Sequence, residues 1–227
     1  MNVSTFLTQV NYALRGIDDD TPTVGTDEAN YWVETLNRKI NELYRNSRVL
    51  WDATWSEQSL GAVSASATPS YNCAATLIAP SDEVRILDSN SKNVYYEIIK
   101  PRQRLAPGRY FYLSGNNPQV LHCTNEITAT EDIVGGTAYL PGYYMPADVD
   151  ASDGTDTIPL DDPYWGVMAT AAEIAYGDIT YEDKVEGLNA KANELYRFMV
   201  RNNRKNSYGS AKRPAHDHYR IKNTENK

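Results

Sequence analysis

Apolar residues recur at helical spacing at both ends of the chain and in short runs between them. At the amino end Val3, Phe6, Leu7, Val10 and Leu14 step by three and four, which predicts a helix over 2–15 stopped by Gly16. The acidic, proline-containing stretch 18–22 reads as a turn. A second helix opens after Gly25. Thr26 is suited to cap it, and Asp27 and Glu28 meet the positive end of its dipole. Its stripe runs Trp32, Val33, Leu36, Ile40, Leu43, Tyr44 and on towards Leu50 and Trp51, with Trp51 and Trp55 anchoring the exit.

The middle of the chain loses that period. Residues 56–70 are rich in Ser, Ala and Gly and read as a linker, a loop or a weak strand. Strand-like runs follow at 73–78, 84–87, 94–99, 110–113, 120–123 and 134–140. Turn signals separate them: Pro80-Ser81-Asp82, residues 88–91, Pro107-Gly108, the hairpin loop 115–118, and Pro141-Gly142 as the final stop. Their close spacing points to a small antiparallel sheet, sandwich or barrel. The acidic stretch 147–157 reads as an exposed loop.

Helical spacing then returns. Asp161 or Asp162 is placed to cap a helix at Pro163, where a first-turn proline costs no hydrogen bond, and Gly177-Asp178 stops it. The next helix is expected to start at a Thr180 cap, with Asp183 at the capping-box position. Val185, Leu188, Ala192, Leu195 and Met199 form a heptad seam. After Asn203 the text turns polar and basic, which predicts an extended arm. The expected fold is α+β: a bundle of about four helices, an inserted antiparallel β-region and a C-terminal arm. The boundaries fall at 1–55, 56–158, 159–203 and 204–227.

Charge sharpens that division. The chain of 227 residues carries a net −8, but from Arg201 onward eight Lys/Arg stand against two acids. An acidic body with a basic tail invites docking, on itself or on a partner. Tyrosine outnumbers phenylalanine 17 to 3, as suits half-exposed sheets and interfaces. The opening residues lack the basic and apolar regions of a secretory signal, and no apolar run is long enough to span a bilayer.

Candidate chemistry is thin. Cys73 and Cys123 read as buried thiols rather than a disulfide. His122 and Cys123 are adjacent in a strand and so face opposite ways. His216 and His218 flank Asp217 without further metal ligands in view. The loop from Asp148 to Gly154 has acids at alternate positions but misses the register of a calcium loop: its sixth position is Asp153 and its twelfth Pro159. Phosphate-cradling glycine motifs do not occur. No enzyme activity, cofactor or metal is expected.

Three stretches carry a family likeness: EANYWVETLNRKINELYRNSRVLW, then GTAYLPGYYMPADVDASDGTDTIPLDDPYWGVMATAAEIAYG, then the heptad helix with its tail. Their layout resembles the head–tail adaptor (connector) proteins of tailed bacteriophages. The resemblance implies a structural virion protein at the neck, assembled in the host cytoplasm as a ring, typically dodecameric. It implies four partners: the portal protein, the next neck or tail component (a stopper, nozzle or tail tube), neighbouring copies, and double-stranded DNA threading the ring without sequence reading. It further implies that the C-terminal segment grips the portal; in this chain the basic and aromatic residues of the tail expected to do so are Arg201, Arg204, Lys205, Tyr208, Lys212, Arg213, Tyr219 and Arg220.

Two other classes compete. Tyr95, Tyr96, Tyr110, Tyr112, Tyr143 and Tyr144 could form a stacking platform for glycans or another surface. The basic tail, with Tyr208 and Tyr219 between its charges, could bind DNA.

Overall fold

The computed structural model describes residues 1–16, 20–46, 49–51, 54–100, 108–115 and 118–209. Parts of the expected turns at 18–22 and 115–118 and of the Pro107-Gly108 turn, with the arm beyond 209, lie outside these. The fold is α+β, with four helices and two antiparallel sheets among the described residues.

Helix α1 spans Val3–Arg15. Asn2 caps it by accepting from the Thr5 N–H at 2.9 Å, and Gly16, in the left-handed region at φ 73°, returns its N–H to the Tyr12 carbonyl. The five apolar residues of the expected stripe are all buried. Helix α2 spans Asp27–Asn46, with the Thr26 hydroxyl facing the Ala29 N–H. It ends before Leu50, which is 46% exposed, while Trp51 turns back into the core against Tyr44 and Tyr196. Trp55 is no anchor of the helical core. It starts the first strand, half exposed, with its ring edge-on to Tyr143 at 4.9 Å.

Helix α3 spans Pro163–Gly177 and packs against α1 and α2. Asp162 caps it, and nine of its residues are buried, four of them alanine. Small side chains let three helices approach α3 closely: a Cβ on Gly166 would lie 2.9 Å from both Leu36 and Leu160. The chain then differs from expectation. Asp178, not Thr180, provides the cap by accepting from the Thr180 N–H, and a 3-10 segment, Ile179–Lys184, precedes α4 at Val185–Gly209. This segment fastens the far end of α1: Tyr181 accepts from Arg15, and Lys184 donates to the Leu14 carbonyl. Arg15 also pairs with Glu28 and lies over Trp32.

The strands are β1 Trp55–Ala62, β2 Ser70–Asn72, β3 Leu77–Pro80, β4 Glu83–Leu87, β5 Asn93–Glu97, β6 Phe111–Ser114, β7 Val120–Cys123 and β8 Thr137–Tyr144. One sheet has the order β1-β8-β4-β5, with β3 also pairing β8; the other has β2-β7-β6. Their inner faces share Val84, Ile86, Ala138 and Leu140 from the first sheet and Phe111, Leu121 and Cys123 from the second. This is a small sandwich, and an isolated bridge between Ile98 and Phe111 links its two sheets.

Three strand readings change or sharpen. Of the linker, loop and strand readings of the Ser/Ala/Gly text, the strand holds for its first part: β1 runs into it from Trp55 to Ala62, and an edge strand solvated on both faces needs no apolar alternation. Strand β8 runs through Pro141-Gly142 instead of stopping there. On one flank it pairs β4 at residues 137–139 and β3 at 142–144, so the residue lacking an N–H sits where β8 changes partner. The expected 73–78 run is divided, with Cys73 just after β2 and a turn before β3.

A second core belongs to the helices and takes in Trp51, Met145, Val149, Ile158 and Leu160. The acidic 147–157 stretch is therefore docked, though its acids face water. Asn37 brackets Val149, accepting from its N–H at 2.9 Å and donating to its carbonyl at 3.0 Å. The Val3 and Ser4 N–H groups donate to the Asp156 and Gly154 carbonyls.

Candidate interaction surface

Helix α4 carries the residues expected to meet a partner. It buries Leu188, Ala192 and Met199, while Val185 and Leu195 are half-buried. Asn203, also buried, donates to the Leu50 carbonyl at 2.8 Å. The helix does not stop there as expected but continues to Gly209. Arg201 is exposed, and Arg204, Lys205 and Tyr208 follow on the same helix. Steps of three, one and three residues align the Cα atoms of these four along one stripe. Lys212, Arg213, Tyr219 and Arg220 lie outside the described residues, as do His216 and His218.

The sequence pattern did not reveal a groove between α2, α3 and α4. Its volume is about 530 Å³. Trp165, Ala169, Ala172 and Ala192 give it an apolar floor; Lys39, Glu42, Glu173, Asn189 and Asn193 edge it, with Tyr176 and Tyr196. Lys39 pairs with Glu173 at 2.9 Å and with Glu42 at 3.2 Å, and Arg38 reaches Glu173 from outside. The Lys39 contact holds Glu173 below the usual carboxylate range. Tyr176, which lines it, and Ile179, just past α3, are more than four-fifths exposed, and Phe198 on α4 is more than half exposed. These residues fall off the heptad seam, which was the available signal.

The tyrosine platform does not form. Strand alternation puts Tyr95 outward and Tyr96 inward against Phe111, and likewise Tyr143 outward and Tyr144 inward, its hydroxyl on the Leu140 carbonyl. Burial pushes the Tyr96 and Tyr144 phenols up. Tyr112 belongs to the other sheet, stacked on His122.

Cys73 and Cys123 are buried free thiols, and burial raises both out of the reactive range. The His122 Nε2 lies 2.7 Å from the Ser114 hydroxyl, beside a cavity of about 330 Å³. No carboxylate orients this imidazole among the described residues, so a triad is not assembled. Among the described residues no three His, Cys, Asp or Glu converge on a metal position, and no helix is long and apolar enough to cross a membrane. Asp150 and Asp153 instead accept from Ser152 and Thr155, which lowers both carboxyls.

An ion pair braces the β-module. Arg109 donates to both Glu131 oxygens, Nη2 to Oε1 at 2.8 Å, and the Thr128 N–H adds a third bond. The Arg109 bonds come first in bringing the Glu131 carboxyl down to about 2 from an ordinary 4.5. A depressed carboxylate stabilises the fold above its unfolded pKa, and the benefit is lost as pH falls from 4.5 towards 2. The Glu131→Gln variant is expected to lose about 2 kcal/mol at pH 7, after solvent screening is allowed for. The gap to the parent should close between pH 4.5 and 2.5 in urea titrations. A gap independent of pH would show that the pair contributes no linkage.

Comparison with protein-family models and with curated proteins returns no match.

Proposed function

We propose that this chain is a structural, non-enzymatic head–tail adaptor of a tailed bacteriophage. In this reading copies form a ring, typically dodecameric, beneath the portal at the virion neck. The observation that carries it is the course of α4: the helix continues past the buried Asn203 to Gly209, and the sequence from Arg201 onward is rich in Lys and Arg. A long helix that leads into a cationic segment is a device for reaching into another protein. The residues assigned to the portal are Arg201, Arg204, Lys205, Tyr208, Lys212, Arg213, Tyr219 and Arg220.

Other features support the reading. A closed ring joins one face of a subunit to a different face of the next, and this chain has distinct exposed aromatic sites: Tyr12 and Tyr31 on α1 and α2, Tyr176 and Phe198 on α3 and α4. Many weak tail contacts on one ring add up through effective concentration. The body before Arg201 is strongly acidic, which lets DNA pass along a channel wall without adhering. The opposite face of the ring would receive the next neck or tail component, a stopper, nozzle or tail tube.

The test is deletion of residues 204–227. The truncated chain is expected to remain folded, with a cooperative unfolding transition, but fail to co-purify with its portal. Co-purification at the parental level would sink the role of the tail.

A further inference from the structure

The α2–α3–α4 groove is open at the surface and half apolar, and two features indicate what covers it. The first is charge. The α3–α4 hairpin beside it carries exposed Asp178, Glu182, Asp183, Glu186 and Glu194 against Lys184, Lys191 and Arg197, and the rim adds Glu42 and Glu173, which pair with Lys39. The 18 residues beyond Gly209 carry five Lys/Arg against two acids.

The second feature is length. From the middle of the groove, at Asn193, α4 runs to Gly209, roughly 24 Å at a helical rise. The following 18 residues reach about 60 Å when extended. Around eight of them suffice to double back, which leaves the last ten to lie across the groove.

Those ten contain a suitable segment. Tyr219, Arg220, Ile221 and Lys222 alternate apolar and cationic residues. In extended backbone that alternation gives one face of each kind.

We propose that the groove receives the chain's own C-terminal segment, residues 219–222. Tyr219 and Ile221 pack on the floor of Trp165, Ala169 and Ala172, and Arg220 and Lys222 face the Glu42 and Glu173 rim. Tethering favours this occupant, because a segment on a short linker meets its site at an effective concentration near millimolar. The proposal concerns the chain before it meets any partner and does not depend on the portal reading.

Disulfide trapping in the full-length chain tests it. Asn193→Cys on the rim is paired with Asn223→Cys, which leaves the four docking residues intact; Cys73 and Cys123 are buried and do not compete. Under mild oxidation the intramolecular bond is expected at least ten-fold faster than in a control pairing Asn223→Cys with Ser59→Cys on the exposed edge strand. Adding Tyr219→Ser and Ile221→Ser should bring the rate down to the control. These changes lie in the tail, so folding of the body does not confound the result. Equal rates in both pairs would overturn the proposal. So would a dimeric product whose yield rises with protein concentration, since the occupant would then be a second copy.

Discussion

Replacing Trp51 with alanine is expected to lower stability by about 3–5 kcal/mol. Trp51 is 1% exposed and follows the helix that first hides it. Its ring meets Tyr44 of α2 edge-on and Tyr196 of α4 at a tilt, both at 6.3 Å, so its removal opens a cavity shared by two helices. The backbone there cannot collapse freely, because the neighbouring Leu50 carbonyl is held by Asn203. Guanidinium unfolding followed by far-ultraviolet dichroism should show a lower midpoint with an unchanged slope. Trp51→Phe should recover more than half of the loss. A cost below 1 kcal/mol for the alanine variant would mean that Trp51 does not join the helices.

Gly136→Ala is expected to cost about 3 kcal/mol or more, although it adds a single methyl group. A Cβ at this position would lie 2.2 Å from the Leu87 carbonyl oxygen, 2.9 Å from the Asp88 Cα and 3.0 Å from the Ile133 carbonyl. All three are main-chain atoms and none can rotate away. Relief requires shifting the Leu87–Thr137 pairing, or the bond from the Val63 N–H to the Gly136 carbonyl. The preceding glycine is the control. Gly135 has φ +82° but open space around its Cβ, so alanine there costs roughly 1 kcal/mol for the left-handed backbone alone. Thermal melts of the two variants separate close packing from backbone strain. Equal losses would show that the sheet yields at residue 136.

The helices were legible because each buries one stripe against a neighbour. Val3, Phe6, Leu7, Val10 and Leu14 declared α1 by spacing alone, and all are buried. Strand β7 was legible for the same reason at period two. Strand β1 was legible only as one of three readings, since an edge strand exposed on both faces leaves no pattern to choose by. Pro141 misled because its meaning depends on which strands flank it, and that is a tertiary fact. The 3-10 segment was read as the start of a helix because Asp178 and Thr180 are both good caps and spacing cannot choose between them. The candidate interface was legible only in part. The basic character of the tail is composition and shows at once. The groove is made by three helices distant in sequence, so no local window contains it.

The helical core is assembled from both ends of the chain, whereas the sandwich is continuous from β1 to β8. During synthesis, therefore, α1 and α2 emerge first yet have nothing to close on until α3 leaves the ribosome. For that interval their greasy stripes are bare, and Trp32, Leu36 and Phe6 are sticky sites open to chaperones or misassociation. The β-module has all its strands in hand earlier and can fold in the waiting time, bringing the two ends of its own sequence together so that the late helices arrive beside the early ones.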